Sequence, residues 1–275
     1  MKTVEDAIVD SNWQLAGDLW QLVLRSKSIP KQIEPGQFVH LRLGEKSEHI
    51  LRRPLSVHDV FADQNGNFEY LSLVYQVVGE GTDYLTTFSK GDTLNLIGPL
   101  GRGWQPARGI NSALLVGGGV GWVPLALLAG SLTAMGVEVH CLIGARNAEY
   151  YDALAGGADF RPYALRDTQG ADTEKFFEHV ATDDGSAGHH GFNTDLLEGL
   201  LAKYNFDYVA TCGPEPMQSK VAAAAMAREI DCDVSLERRM ACGVGACLSC
   251  AVDTVDGSKR ACVDGPVFKA QEVVW

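Results

Sequence analysis

Two kinds of hydrophobic spacing divide this chain. From Thr3 to about Gly103, apolar residues fall in short β-type runs such as Asp18–Leu24, Gln37–Leu43 and Tyr70–Val78. Glu34-Pro35-Gly36, Asn65-Gly66-Asn67 and Lys90-Gly91-Asp92 punctuate them, and residues of these types favour tight reversals. The texture predicts an antiparallel β-barrel or sandwich over 1–105. From about Asn111 to Ile230 the period changes. Strand-like runs at Ala113–Val116, Val137–Ile143 and Asp207–Thr211 alternate with helical segments that run to about Met135, over Thr194–Tyr204 and over Glu215–Arg228. Pro216 is tolerated in the first turn of the last helix. Such alternation implies a parallel-sheet α/β domain, expected over 106–230, with the polar stretch Thr182–Gly191 as a loop inside it. Residues 231–275 are short and cysteine-rich, with too little apolar periodicity for a core of their own. They are expected to form a small domain that needs a metal to fold. The expected fold class is therefore α+β and multidomain.

Composition agrees with this division. At ~150 residues per domain, a chain of 275 residues holds about two domains and a small appendage. It is 46% hydrophobic and 21% charged, with mean hydropathy −0.03, as in folded globular proteins. A net charge of −12 and a pI near 5.0 argue against attraction to nucleic acid or an anionic membrane. The uncharged stretch Gly109–Val137 is long enough to span a bilayer, but Gly117–Gly121 and Pro124 interrupt it. Glu5, Asp6 and Asp10 leave no apolar signal segment at the N-terminus, so a cytoplasmic location is expected.

The cysteines change the picture most. Seven is an odd number, which does not suggest a disulfide framework, and four of them fall within 21 residues. Cys242-x4-Cys247-x2-Cys250, followed by Cys262, has the plant-type [2Fe-2S] spacing. Gly243, Gly245 and Ala246 are small enough for the backbone to wrap a cluster. A four-cysteine zinc site is the alternative, although such sites usually show two separated knuckles. Gly117-Gly118-Gly119-Val120-Gly121, after a strand and before a helix, would let a dinucleotide phosphate approach the backbone. A plain glycine turn is the bland reading, because the spacing is not a strict G-x-G-x-x-G. Cys212-Gly213-Pro214 ends a strand where ligands bind in open α/β sheets; a small buried residue at a turn explains Cys212 equally well. Arg53-Pro54-Leu55-Ser56 and Gly79-Glu80-Gly81-Thr82 could grip a pyrophosphate, with Arg53 bidentate. They could also be a surface charge and a hairpin.

Taken in order, these elements resemble the ferredoxin–NADP reductase superfamily. Within it they are most similar to the family of electron-transfer subunits of NAD-dependent (class 1B) dihydroorotate dehydrogenase. The residues that carry the resemblance are Glu34–Phe38, Arg52–Ser56, Gly79-x-Gly81-Thr82, Gly98–Gly101, Gly117–Gly121 with Pro124, Thr182–Ser186, and Cys212–Pro214 with Met217. Glu237-Arg238-x-Met240-x-Cys242-Gly243-x-Gly245-x-Cys247-x-x-Cys250 and Asp264–Phe268 complete it.

The resemblance implies FAD on the barrel, held by Arg53, Pro54, Leu55, Ser56, Val74, Tyr75, Gln76, Gly81 and Thr82. NAD would use Gly117, Gly118, Gly119, Gly121, Gly213 and Pro214, with Cys212 as the catalytic residue beside the nicotinamide. Cys242, Cys247, Cys250 and Cys262 would hold the cluster. The partner would be an FMN-containing catalytic subunit in a heterotetramer of two plus two. Electrons from dihydroorotate would pass through [2Fe-2S] and FAD to NAD, in de novo pyrimidine (UMP) synthesis. A reductase subunit of a ferredoxin, sulfide or hydrogenase complex shares the cluster pattern and is the alternative. Two positions depart from the wider superfamily: Leu55 stands where many members carry an aromatic, and Gln76 where relatives often carry a base. No ribose-reading residue decides between NAD and NADP.

The remaining candidates have bland readings. His189-His190 are expected in solvent; Trp13, Trp20, Trp104 and Trp122 in the core or between domains; Cys141 and Cys232 as buried fillers. The sequence shows no nucleophilic triad or paired carboxylates, and a cofactor relay needs none. The competing class is a zinc-stabilised nucleotide-binding module without redox chemistry, which would be colourless.

Overall fold

The computed structural model describes residues 2–44, 50–156 and 175–275. The alternating N-terminal runs become β1 (Thr3–Ala16), β2 (Leu19–Arg25), β3 (Phe38–Arg42), β4 (Arg53–Ala62), β5 (Phe68–Gln76) and β6 (Thr93–Leu100). They close into an antiparallel barrel in the order β1-β2-β5-β4-β3-β6, with helix α1 (Glu80–Leu85) between β5 and β6. Successive side chains alternate in and out of the barrel wall. Val39 and Leu41 of β3 therefore enter the barrel core with Leu22, Leu24, Leu71, Leu73 and Leu96. Phe38, in contrast, joins the core of the neighbouring sheet.

The second half is a sheet in the order β10-β9-β8-β7-β11-β12-β15. Its strands are β7 (Ser112–Gly118), β8 (Glu138–Ala145), β9 (Phe176–Thr182), β10 (His189–His190), β11 (Tyr208–Cys212), β12 (Asp231–Ser235) and β15 (Val267–Lys269). All pairings are parallel except that of β15. Helices α2 (Val123–Ala134), α3 (Ala148–Tyr151), α4 (Thr194–Lys203) and α5 (Glu215–Met226) accompany it. A hairpin of β13 (Ala251–Thr254) and β14 (Gly257–Arg260) lies beyond the cysteine loop. No helix among the described residues is long and apolar enough to cross a membrane. Two details differ from the sequence reading. His189-His190, inside the expected loop, form a short exposed edge strand, and Trp13 is 40% exposed rather than packed. Trp104 and Trp122 are buried as expected, and Trp104 Nε1 donates to the Pro124 carbonyl at 2.8 Å, tying the barrel's exit to α2.

The C-terminal region finds its core elsewhere than expected. β12 pairs with β11, and β15 returns antiparallel to β12, so residues from this region complete the α/β sheet. Cys250, Val252, Cys262, Phe268 and Val273 bury against Leu114, Val116 and Val209 of the sheet and Val221 of α5. An ionic clasp reinforces the seam: Lys269 Nζ reaches Asp231 at 2.8 Å and Asp233 at 2.9 Å, and Tyr208 Oη donates to Asp233 at 2.8 Å. Burial pushes the Asp233 carboxyl up, and these partners work against that rise. The segment thus borrows the apolar surface it lacks. Phe268 is 3% exposed in that shared core. Phe268→Ala is expected to lower the stability of the whole α/β unit by about 3–5 kcal/mol, read by urea denaturation. An independent C-terminal unit would instead leave the sheet's unfolding midpoint unchanged.

Candidate functional site

In the sheet, the chain runs outward from β7 through β8 to β9, then returns to the other side of β7 as β11 and β12. Strand order therefore reverses between β7 and β11, and ligands bind at the carboxyl ends of strands at such a switch point. The two glycine motifs sit there. Gly118, Gly119 and Gly121 after β7, with Gly213 and Pro214 after β11, line a cleft of ≈ 680 Å³ that Gln76 reaches from the barrel. Gly121 has a steric requirement, because a Cβ there would come within 2.5 Å of the Cys212 carbonyl. Gly119 has a conformational one: its φ is +55° and nothing lies within 4 Å of its missing Cβ. The fit to a dinucleotide is a bare backbone beside open space.

Gly117 does not line the cleft. Its carbonyl accepts from Asn193 Nδ2 at 3.0 Å, which places it one layer behind. Cys212 is also behind the wall, 2% exposed; burial first and then the Glu237 carboxylate push its thiol up to about 12. Arg146, Asp183, Asn193, Glu237 and Arg238 also line it, and sequence reasoning assigned none of them a role. Asp183 and Glu237-Arg238 were within reach, since both belong to the motifs that carry the resemblance. Asn193 had no signal, because its position depends on how α4 docks.

A polar network closes one side of the cleft. Asp18, in the β1–β2 turn, accepts from Gln76 Nε2 at 2.7 Å and Tyr150 Oη at 2.6 Å and lies 3.6 Å from Arg146. Burial opposes its ionisation, but these partners hold the carboxyl below its ordinary range. Gln76 thus has a structural partner across the domain boundary.

On the barrel, Arg53, Pro54, Leu55 and Ser56 begin β4 and are half-buried. The Arg53 guanidinium lies over Gly81, where a Cβ would come within 2.2 Å of Nε. Thr82 Oγ1 accepts from the Val78 and Gly79 N–H groups at 2.9 and 3.2 Å, fixing the loop that presents Gly81. A guanidinium, the Ser56 hydroxyl and a glycine backbone suit a pyrophosphate, whereas the Thr82 hydroxyl donates to the Gly79 carbonyl at 3.0 Å and serves its own loop. Val74 is buried in the core between barrel and sheet. Tyr75 is 1% exposed inside the barrel, its hydroxyl 3.1 Å from Asn12 Oδ1, so only its backbone can meet a ligand outside.

The four clustered cysteines lie in two pairs. Cys262 N–H approaches Cys250 Sγ at 3.4 Å, and both residues are buried. Cys242 Sγ accepts from the N–H groups of Val244, Ala246 and Cys247 at 3.3–3.5 Å. Burial opposes its ionisation, but these donors and the Cys247 side chain bring its thiol down to about 6. Cys262 goes the other way, to about 12, through burial and the neighbouring Cys250 thiol. Among the described residues, no group of three His, Cys, Asp or Glu is closed to metal-holding geometry. The loop nevertheless has the shape of a cradle. Gly243, Gly245 and Leu248 all take positive φ (67°, 88° and 60°), and a Cβ on Gly245 would come within 2.7 Å of Val263. Backbone N–H groups turned toward sulfur fit an iron–sulfur cluster.

Barrel, parallel sheet and cysteine loop in this order define an oxidoreductase of ferredoxin-reductase architecture. A chain in a solved structure of NADH-dependent reduced ferredoxin–NADP oxidoreductase superposes with TM-score 0.79 at 32% identity, covering 98% of this chain and 90% of that one. An Amycolatopsis cytochrome P450 reductase shares the fold, with TM-score 0.63 at 24% identity over 84% of this chain and 68% of that one. Residues 237–274 match the iron–sulfur cluster binding domain of dihydroorotate dehydrogenase B. Two proteins named dihydroorotate dehydrogenase B (NAD(+)), electron transfer subunit, are similar over 98% of both chains. One, from Fusobacterium nucleatum, is 35% identical; the other, from Geobacillus thermodenitrificans, is 38% identical. The chain belongs to the family of dihydroorotate dehydrogenase B electron transfer subunits.

Arg53→Ala removes the guanidinium held over Gly81, a charge-assisted contact worth about 1.5–3 kcal/mol. The purified variant is expected to lose flavin on gel filtration, read by absorbance. Full retention of FAD would remove Arg53 from the site.

Proposed function

We propose that this chain carries electrons from dihydroorotate, oxidised on an FMN-containing catalytic subunit, through [2Fe-2S] and FAD to NAD in de novo pyrimidine synthesis. The observation that carries the reading is family likeness over the full chain, joined to a fold that sets a cysteine loop, a barrel face and a nucleotide cleft on one body. When bound, FAD exchanges a hydride with NAD and single electrons with the cluster, joining two-electron to one-electron chemistry. In this reading residues 1–105 hold FAD, 106–230 hold NAD and 231–275 hold the cluster, with β12 and β15 anchoring the last to the second. Arg53, Ser56 and the Gly81 backbone bind pyrophosphate, and Thr82 holds the loop that presents Gly81. Pro54, Leu55 and the Val74–Gln76 backbone flank the flavin ring. Gly118, Gly119, Gly121, Gly213 and Pro214 receive NAD, and Gly117 shapes the turn from behind. The four cysteines ligate iron, and their loop faces the catalytic subunit in an assembly of two plus two. A reductase serving a ferredoxin is the second reading, favoured by the 32% identity to the ferredoxin–NADP oxidoreductase chain.

Cys212 is assigned to the layer directly behind the hydride-transfer site as a neutral thiol. With its thiol pushed up to about 12, it stays protonated below that value and is no thiolate nucleophile near neutrality. Cys212→Ala should keep FAD and iron content yet slow NADH-to-flavin reduction in stopped flow. The wild-type rate should show no thiol ionisation between about pH 6 and 10. An unchanged rate in the variant would leave Cys212 a packing residue.

Cys247→Ser separates the two halves of the relay. It should retain FAD and NADH–dye reductase activity, because hydride exchange does not pass through the cluster. The fold should persist, since the segment is anchored by β12 and β15. Mixed with the catalytic subunit, the variant should fail to couple dihydroorotate to NAD. Coupling at the wild-type rate would take the cluster off the pathway, and no coupling by the wild-type pair would favour the ferredoxin reading.

A further inference from the structure

His40 occupies an unusual position. Its neighbours Val39 and Leu41 point into the barrel, so His40 points out, on the side where Phe38 meets the sheet. An outward residue on a barrel is exposed unless something covers it, yet His40 is 0% exposed. The cover is the cysteine loop. A Cβ on Gly243 would fall 2.5 Å from His40 Nδ1 and 3.2 Å from Cε1, so Nδ1 is the ring atom turned to the loop. On its other flank His40 lies opposite Pro54 in the β3–β4 register, the second residue of the flavin-side Arg53–Ser56 segment. His40 therefore joins the two elements: its strand pairs with the segment assigned to the flavin, and its ring faces the loop assigned to the cluster.

The ring is also without a partner. Neither Nδ1 nor Nε2 makes a hydrogen bond, although the backbone carbonyls of Arg52 and Cys242 approach it. A buried polar nitrogen left unpaired costs about 1–3 kcal/mol, and the great majority of such groups are satisfied in folded proteins. Packing alone would be served better by leucine. The neighbouring loop turns backbone N–H groups toward Cys242 Sγ, so it is organised around negative sulfur, and an N–H on His40 would add one more donor to the same surface. Either protonation state of the ring can supply that donor.

We propose that His40 is a positioning residue whose unpaired ring N–H, once a cluster occupies the loop, donates a hydrogen bond from the barrel into it, fixing the cluster against the flavin domain and raising its reduction potential. The inference rests on the iron–sulfur reading above. A reduced cluster carries one more negative charge than an oxidised one, so a nearby N–H stabilises the reduced form more. Removing the donor must then lower the potential.

The test uses the full chain purified with its FAD and iron, in three forms: wild type, His40→Leu and His40→Asn. Leucine keeps the bulk without a donor, and asparagine places an amide near the position of Nδ1. Iron and labile sulfide are assayed first, and the cluster is then titrated with reductant while its EPR signal and the flavin absorbance are followed. His40→Leu should shift the cluster's reduced-to-oxidised ratio about tenfold toward oxidised, equivalent to about 59 mV for a one-electron couple. The flavin potential should stay in place, and His40→Asn should recover most of the shift. Loss of the cluster from His40→Leu but not from His40→Asn also supports the proposal, because the donor is then what holds the loop. An unchanged potential in His40→Leu, or equal damage in both variants, overturns it. A wild-type protein without iron and without an EPR signal would sink the iron–sulfur reading instead.

Discussion

Phe38 and Leu100 from the barrel, Leu114, Val116 and Val209 from the sheet, and Cys250, Cys262 and Phe268 from the C-terminal segment pack into one continuous core. Close-packed interiors do not slide, so the spacing between the three regions is fixed by the volumes of these side chains. An electron relay needs that rigidity, because its sites must stay close together. The Gly101–Pro266 contact and the Arg102 N–H bond to the Gly265 carbonyl repeat the joint at the barrel's exit, where the chain passes from β6 to β7. Two of the four clustered cysteines belong to this core, so folding of the sheet itself brings Cys250 and Cys262 together.

The cleft depends on a different constraint, the approach of backbone to backbone. Gly121 touches the Cys212 carbonyl and Gly213, and Gly118 touches Met217 and Pro214, which brings the turn after β7 against the turn after β11. A side chain at Gly121 would meet backbone and push these turns apart. The polar clasp of Asp18, Gln76, Tyr150 and Arg146 then holds the barrel at the same edge. Apolar packing sets the distance between domains, and the clasp fixes their orientation at the mouth of the cleft.

Much of this was legible along the chain. The change from alternating runs to strand–helix alternation located the barrel and the sheet, because each period reports the local backbone directly. The x4/x2 cysteine spacing pointed to an iron–sulfur segment, and residues 237–274 match such a domain, because the whole pattern lies within one short stretch. The glycine turn and Cys-Gly-Pro were joined into one site only by the family resemblance, although far apart in sequence, and β7 and β11 pair in the sheet.

What the sequence could not express was which outward faces meet. Residues 231–275 lack an apolar period of their own, yet β12 and β15 enter a sheet whose other strands lie earlier in the chain, and that pairing supplies their core. Tyr75 sits among residues assigned to a cofactor, but the register of β5 turns its side chain inward. Gln76 departs from a pattern without a visible reason until Asp18 is found beside it. His40 is one polar residue in an alternating strand, and only the fold lays Gly243 across it. Local spacing determines an element and its two faces; burial of a given face depends on distant residues that cover it, and only tertiary packing decides those.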